Sequence, residues 1–401
     1  MQRLNIQKSP FEKSPNRPKV SVSTGSGPYK NTRDALDNFD LSPARTKRVL
    51  LKPNAGRLAR AGEAVTTDPQ VVAAAIDAFR EVGADVAIGE SPIVGINTLE
   101  AFDTCGIAAV AHQRQCPLID MNERPGVDVK VPDGLAINSL KLCSEALEFD
   151  LIVSIPVMKM HMHTGVTLAV KNMKGCLWRR SKVKLHMLPP VEGYDEKPLN
   201  IAISDLAGVL RPHLSIIDGT VGMQGLGPSA GEAKELGVVV VGTDAFAADA
   251  VACRLMGTDA KNIPHLAISA KRGYGIIDLD KISVSPANWE NWAAVFDAPP
   301  ENLAINFPNV KIMGENSCSA CQSTILLLMK HHREQLLEYF PKDRVLNIAI
   351  GKGHSELPLD TLCIGNCTAR HRDKGIFVKG CPPVESEIIR IVSGNPSEDS
   401  S

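Results

Sequence analysis

Short runs of apolar residues alternate along most of the chain with longer stretches in which apolar positions recur every three to four residues. "RVLLK" (Arg48–Lys52) is a buried-strand run that ends in "PNAG". "DPQVVAAAIDAFREVG" (Asp68–Gly83) predicts a helix, with Asp68 as N-cap, Pro69 in the first turn and Gly83 as terminator. "ADVAIGES" returns as a strand. Strand, helix and strand at this spacing make a βαβ unit, hence a parallel sheet.

The alternation continues. "FDLIVSIPVMK" (Phe149–Lys159), "LSIIDG" (Leu214–Gly219) and "LGVVVVGTD" (Leu236–Asp244) read as buried strands, and "LNIAISDLAGVL" and "AFAADAVACRLMG" as helices. The pattern breaks in a Pro-containing connection within residues 283–309 and then resumes. "NVKIMG", "RVLNIAIG" and "GIFVKG" are strands, "SACQSTILLLMKHHREQLLEYF" is a long helix and "PPVESEIIRIVSG" a closing one. The predicted fold is α/β: an open, mostly parallel sheet with helices on both faces, plus a smaller C-terminal α/β domain carrying cysteines. The expected organisation is a flexible tail over residues 1–17, a core over 18–304, a cysteine domain over 305–394 and a second tail over 395–401.

The formal net charge of −1 gives no global field that would point to nucleic acid or a membrane surface. No apolar run reaches the roughly 18 residues of a membrane span, and the N-terminal stretch has no apolar signal region. The expected location is therefore the cytoplasm, where ten cysteines signify thiols or metal ligands.

Half of those cysteines lie in the last hundred or so residues. Cys318 and Cys321 form C-x-x-C; Cys363, Cys367 and Cys381 come after them. Cys318 and Cys321 begin the long helix, and Cys381 precedes Pro382, a residue favoured at a helix's first turn. Two helix N-termini would then face the thiolates. One short-spaced pair, dispersed single cysteines and a final Cys-Pro fit a [4Fe–4S] cluster on Cys318, Cys321, Cys367 and Cys381, with zinc as the alternative metal. Cys363, in an apolar run, is the spare. Cys105, Cys116, Cys143 and Cys253 read as small core residues.

From Leu151 to Val191 there is no Asp or Glu, while lysine, arginine and histidine accumulate. "KMHMHTGVT" comes directly after a strand, which puts Lys159 and His161 at the edge where open α/β sheets bind ligands. Lys52 and Asn54 end another strand. "KNMKG" adds Lys171, Asn172 and Lys174 among small residues. These seven predict a cationic cleft for a small carboxylate or phosphate, with His161 and Lys159 able to exchange protons. Arg179 to Lys184 read as a solvated surface. "DGTVGMQGLGPSAG" (Asp218–Gly231) reads as a glycine-rich turn that lacks the Lys-Ser/Thr of a phosphate-binding loop.

These stretches together, among them "LLKPNAG", "VSIPVMKMHMHTGVTLAVKNMKG" and "DLAGVLRPHLSIIDGTVGMQGLGP", resemble the family catalogued as Domain of Unknown Function three-six-two across about residues 18 to 285. The closing "CxxC … GNC … KGCPP" is similar to the cysteine-bearing tail of some members, and that resemblance implies iron–sulfur binding. The family's "GMEGxGP" turn often carries an acid where this chain has Gln224. The expected function is an iron–sulfur oxidoreductase acting on a small anionic substrate or cofactor and served by a ferredoxin-like electron donor. An electron carrier or cofactor-handling protein without turnover, and a non-redox iron–sulfur lyase or isomerase, are the alternatives.

Overall fold

The computed structural model describes residues 9–299, 307–341 and 344–394. The chain divides into two compact units, Met1–Pro299 and Pro300–Ser401. The boundary expected near residue 305 and the tail expected over 395–401 lie outside the described residues, as do residues 1–8. Part of the expected N-terminal tail is packed: Phe11 is buried edge-on against Phe79, their ring centroids 6.1 Å apart.

The N-terminal unit is built on a ten-stranded sheet. Its strands are β1 (Lys19–Thr24), β2 (Arg48–Pro53), β3 (Asp85–Glu90), β4 (Leu118–Asp120), β7 (Leu151–Ile155), β8 (Val157–His161), β9 (Gly165–Thr167), β10 (Leu214–Gln224), β11 (Glu232–Gly242) and β12 (Ser283–Ser285). A separate ribbon pairs β5 (Val127–Lys130) with β6 (Ser139–Leu142). The order is β12-β1-β11-β10-β7-β2-β3-β4, with β8 paired to β10 and β9 to β8. Pairs involving β2, β3, β4 and β7 are parallel, while β11 runs antiparallel to both β1 and β10.

Alternate residues explain why helices cover both faces. Leu50, Ile152, Ile217 and Val240 enter one core, with Leu199, Ile203 and Leu206 of the helix Pro198–Val209. Val49, Leu51, Val153, Ile216 and Val241 enter the other, with Val72, Ile76 and Phe79 of the helix Pro69–Glu81. A strand buried on both sides reads as a continuous apolar run, which is the pattern seen in the sequence. Asp68 caps the helix as expected, its side chain accepting from Gln70 N.

Two expectations change. The run Phe149–Lys159 is two strands, broken at Pro156, which has no N–H to give a ladder. The glycine-rich stretch from Asp218 is strand as far as Gln224, and the turn is confined to residues 225–231. Gly219 and Gly222 serve close packing in the strand. A Cβ on Gly219 would lie 2.7 Å from Val238, and one on Gly222 2.6 Å from Phe296.

The C-terminal unit has four parallel strands in sequence order: β13 (Val310–Met313), β14 (Leu346–Ala349), β15 (Leu362–Ile364) and β16 (Phe377–Val378). The helices Ser319–Glu338 and Glu385–Val392 bury Ile325, Leu328, Ile388 and Val392 against it.

Candidate anion site and cysteine group

In the N-terminal sheet, chain direction switches at β2. The path runs outward through β3 and β4, then resumes on the other side of β2 with β7. Such a switch opens a crevice beyond the strands' carboxyl ends. Lys52 lies near the end of β2 there, fully buried, beside Ser154 of β7. Its Nζ donates to Glu90 Oε2 at 2.7 Å, Asn172 Oδ1 at 2.9 Å and Pro53 O at 2.9 Å. Asn172 Nδ2 returns bonds to Lys52 O and Ser154 Oγ, both at 3.0 Å. The Glu90 carboxylate also accepts from Ala55 N and Ser91 N.

The segment bearing Asn172 is held from behind. Asp249, fully buried, accepts from Ala169 N at 2.7 Å and Val170 N at 3.0 Å, and so caps the short helix Ala169–Asn172. Gly175 comes shortly after. A Cβ there would stand 2.5 Å from Lys52 Nζ and 2.6 Å from Glu90 Oε1, so only glycine lets this backbone close on the ion pair.

Around this anchor stand further cations. Lys159 is buried and donates to Val65 O at 2.8 Å. Lys171 donates to Thr167 Oγ1 at 3.1 Å, and Lys174 Nζ contacts His186 Nε2. Lys182, buried rather than on the surface as expected, donates to Ser91 Oγ. Arg57 acts on Lys159, Lys171 and Lys174 through its charge. Among the described residues, no carboxylate pairs with Lys159, Lys171 or Lys174.

Burial and mutual repulsion depress these amines. Lys159 is pushed down to about 7 by burial first and then by Arg57. Lys174 falls to about 7, by burial and the charges of Lys182 and Arg57. Lys171 lies well below the ordinary lysine range through burial, with Lys174 the neighbouring charge that acts on it most. Burial and Lys171 hold His161 far below the ordinary histidine value, so its ring is neutral. His161 Nδ1 accepts from His163 N at 3.1 Å. That fixes the tautomer with hydrogen on Nε2, a donor rather than a base.

Six of the expected residues thus lie in one network: Lys52, Lys159, His161, Lys171, Asn172 and Lys174. Asn54 sits at its margin. Its backbone N donates to Thr67 Oγ1 at 2.8 Å, its backbone O accepts from Thr67 N at 3.0 Å, and its buried Oδ1 has no partner among the described residues. Sequence reasoning missed Arg57, Lys182 and His186. Arg57 sits in a Gly-containing loop with no periodicity, Lys182 lies within a stretch that looks like exposed charge, and His186 comes just after it. Gln224 accepts from Lys234 Nζ and Asp297 N, a structural use of the side chain.

In the C-terminal unit, Cys318 comes after β13, Cys367 after β15 and Cys381 after β16, all beyond strand carboxyl ends. Cys321 lies in the first turn of the helix that Cys318 caps. Cys321 feels the charges of Cys318, Cys367 and Cys381, and Cys367 feels those of Cys318 and Cys381. Cys363 is apart, its Sγ 3.6 Å from His371 O. Hydrogen bonds from the Cys321 thiol and from the Cys321 and Ala320 amides pull Cys318 down to about 6, while Cys321 is raised. Gly365 adopts a left-handed backbone conformation, φ +91°, beside Cys321. The second helix starts only at Glu385, because its first turn lies beyond the Pro382–Pro383 pair; Cys381 therefore does not sit at a helix N-terminus. Among the described residues, no three Cys, His, Asp or Glu side chains are drawn together tightly enough to hold a metal ion.

The family model "Domain of unknown function (DUF362)" matches residues 49–254, half of the chain. The chain belongs to the DUF362 family. The DUF362 match contains every residue of the cation network and stops short of the C-terminal cysteines. A thylakoid-associated protein of Synechocystis is 31% identical over 230 residues, covering 56% of this chain and 68% of that protein. Among solved structures, the lactate racemase apoprotein of Thermoanaerobacterium thermosaccharolyticum aligns with a TM-score of 0.40 at 13% identity, covering 63% of this chain and 61% of that one. A Thermotoga maritima protein aligns at 0.37 and 15% identity, covering 58% and 60%. The chain thus spans about three fifths of the length of these two solved structures. Among the described residues no helix is long and apolar enough to cross a membrane.

Proposed function

We propose that this DUF362 protein is an iron–sulfur oxidoreductase that binds a small anion in the Lys/His site of its N-terminal unit. The observation that carries the anion-binding reading is the mutual proximity of Lys52, Arg57, Lys159, Lys171, Lys174 and Lys182, with Glu90 already engaged by Lys52 and two amides. Two ammonium ions about 6 Å apart repel by about 3 kcal/mol at an effective dielectric of about 20. A fold that keeps such a group off the surface gains when an anion joins it.

In this reading Lys159, Lys171 and Lys174 bind and orient the anion, and His161 donates from Nε2. Lys159, titrating near neutrality, exchanges a proton with the ligand. Lys52 and Asn172 position the segment that carries Lys171 and Lys174.

Cys318, Cys321, Cys367 and Cys381 are the proposed ligands of a [4Fe–4S] cluster, which when bound supplies one-electron transfer. Zinc at about 2.3 Å from each sulfur would require sulfurs about 3.8 Å apart. The mutual charge effects among Cys318, Cys321, Cys367 and Cys381 support these four as the ligand set. A ferredoxin-like protein is the proposed electron donor.

Anaerobic purification with iron, sulfide and zinc analysis tests the cluster. Iron and sulfide in equal amounts, about four of each per chain, are expected. Stoichiometric zinc without sulfide would refute it. Calorimetric titration with small anions tests the other half, and a protein that binds none of them would refute the site.

A further inference from the structure

The site's charge arithmetic narrows the ligand further. Lys52 is neutralised by Glu90 at 2.7 Å. Three more amines, Lys159, Lys171 and Lys174, have a carbonyl, a hydroxyl and an imidazole as their hydrogen-bond partners, none of which carries negative charge. A monoanion would meet the charge of one ammonium. It would leave the other amines where crowding has put them, without a reason to take protons. A ligand with two or more negative charges would reward each protonation with a close charge–charge contact. Lysine ammonium groups act as point charges with freely rotating donors, so several of them can each meet a different oxygen of one tetrahedral phosphoryl group.

We propose that the ligand is a multiply charged anion of the phosphoryl class, and that the site takes up protons as it takes up this ligand. The inference rests on the anion-site reading and sharpens it. The groups that face the three amines are few in kind. From the strands come Lys52, Glu90 and His161. From the connecting segments come Arg57, His163, Lys182 and His186, and from the helix Pro264–Lys271 comes His265, which lies within the field of Lys171. Among the described residues, Glu90 is the one acid in that set. His161, His186 and His265 are held neutral by burial and by these same cations, so the amines are the groups able to gain charge when an anion arrives.

The test is isothermal titration of the full chain at about pH 8 in two buffers of different protonation enthalpy. Sulfate is the probe, because this tetrahedral dianion carries no proton of its own to lose. Acetate is the comparison. Sulfate is expected to bind at least about tenfold tighter than acetate, with a net uptake of roughly one proton per site, and acetate with none. Lys159→Met and Lys174→Met, which keep the length of the side chain, are each expected to reduce the uptake. Sulfate binding without proton uptake, or acetate binding as tightly as sulfate, would overturn this inference while leaving a small-anion site in place. If neither probe binds, the anion-site reading falls and takes the inference with it.

Discussion

Glu90→Gln is the most direct probe of the anchor beneath the site. The side chains of Lys52 and Glu90 are 1% and 2% exposed, and the carboxylate accepts three hydrogen bonds. Glutamine keeps the shape but has one acceptor oxygen. Its NH₂ group must face either Ser91 N or the Lys52 ammonium, both donors. The variant therefore leaves a buried ammonium without its counter-charge, a loss of about 3–5 kcal/mol. At a urea slope of about 3 kcal/mol/M, the unfolding midpoint should fall by about 1–1.7 M. The double variant Lys52→Met, Glu90→Gln removes the stranded charge and should recover more than half of the loss. Equilibrium urea unfolding of wild type, both single variants and the double variant gives the coupling energy directly. A loss below about 1 kcal/mol for Glu90→Gln, or a double variant no better than the sum of the singles, would show that the pair does not anchor the site.

Gly175→Ala should destabilise by about 1–3 kcal/mol through its clash with Lys52 and Glu90, and should weaken sulfate binding in the same calorimetric assay. Stability should also depend on pH with a definite sign. Lys159, Lys171 and Lys174 titrate lower in the folded chain than the ordinary lysine value near 10.4, so between about pH 7 and 10 the unfolded chain holds more protons. Stability in the absence of anion should therefore rise with pH across that window, and saturating sulfate should flatten the rise; differential scanning calorimetry reads both. Asp249, raised to about 8 by burial, works in the opposite sense below its own value, and the thiols of Cys105, Cys116, Cys143, Cys176 and Cys253, all raised by burial, do so above the free-thiol value near 8.5, so the lysine contribution is read as the difference in slope between wild type and Lys159→Met. In the C-terminal unit, Cys367→Ser should abolish the visible absorption of anaerobically reconstituted protein while Cys363→Ser retains it, because Cys363 lies outside the group of four.

Much of this is legible in the sequence because local rules act there without competition. Asp68, Pro69 and Gly83 mark a helix by capping chemistry alone, and the apolar runs of β2, β7 and β11 arise from burial on both faces. The strand-end rule brings Lys52, Lys159 and His161 to one edge. Pairings across long separations are not legible. Nothing near Glu90 announces Lys52 as its partner, and Asp249 caps a helix eighty residues before it. Lys182 reads as surface because charge density alone cannot distinguish a solvated face from a segment folded inward onto Ser91. Glycines mislead in β10, where Gly219 and Gly222 permit close packing in a strand rather than a turn.

The paired bonds between Asn54 and Thr67, with Thr67 Oγ1 also donating to Ile155 O at 2.6 Å, fasten both stems of the Arg57 segment to the sheet. Such a clasp insulates what lies inside it, since lengthening an already closed loop costs little more entropy. The middle of that segment can therefore change in length at little cost, whereas its stems, where Ala55 N meets Glu90 and Val65 O holds Lys159, are tied to the lysine group.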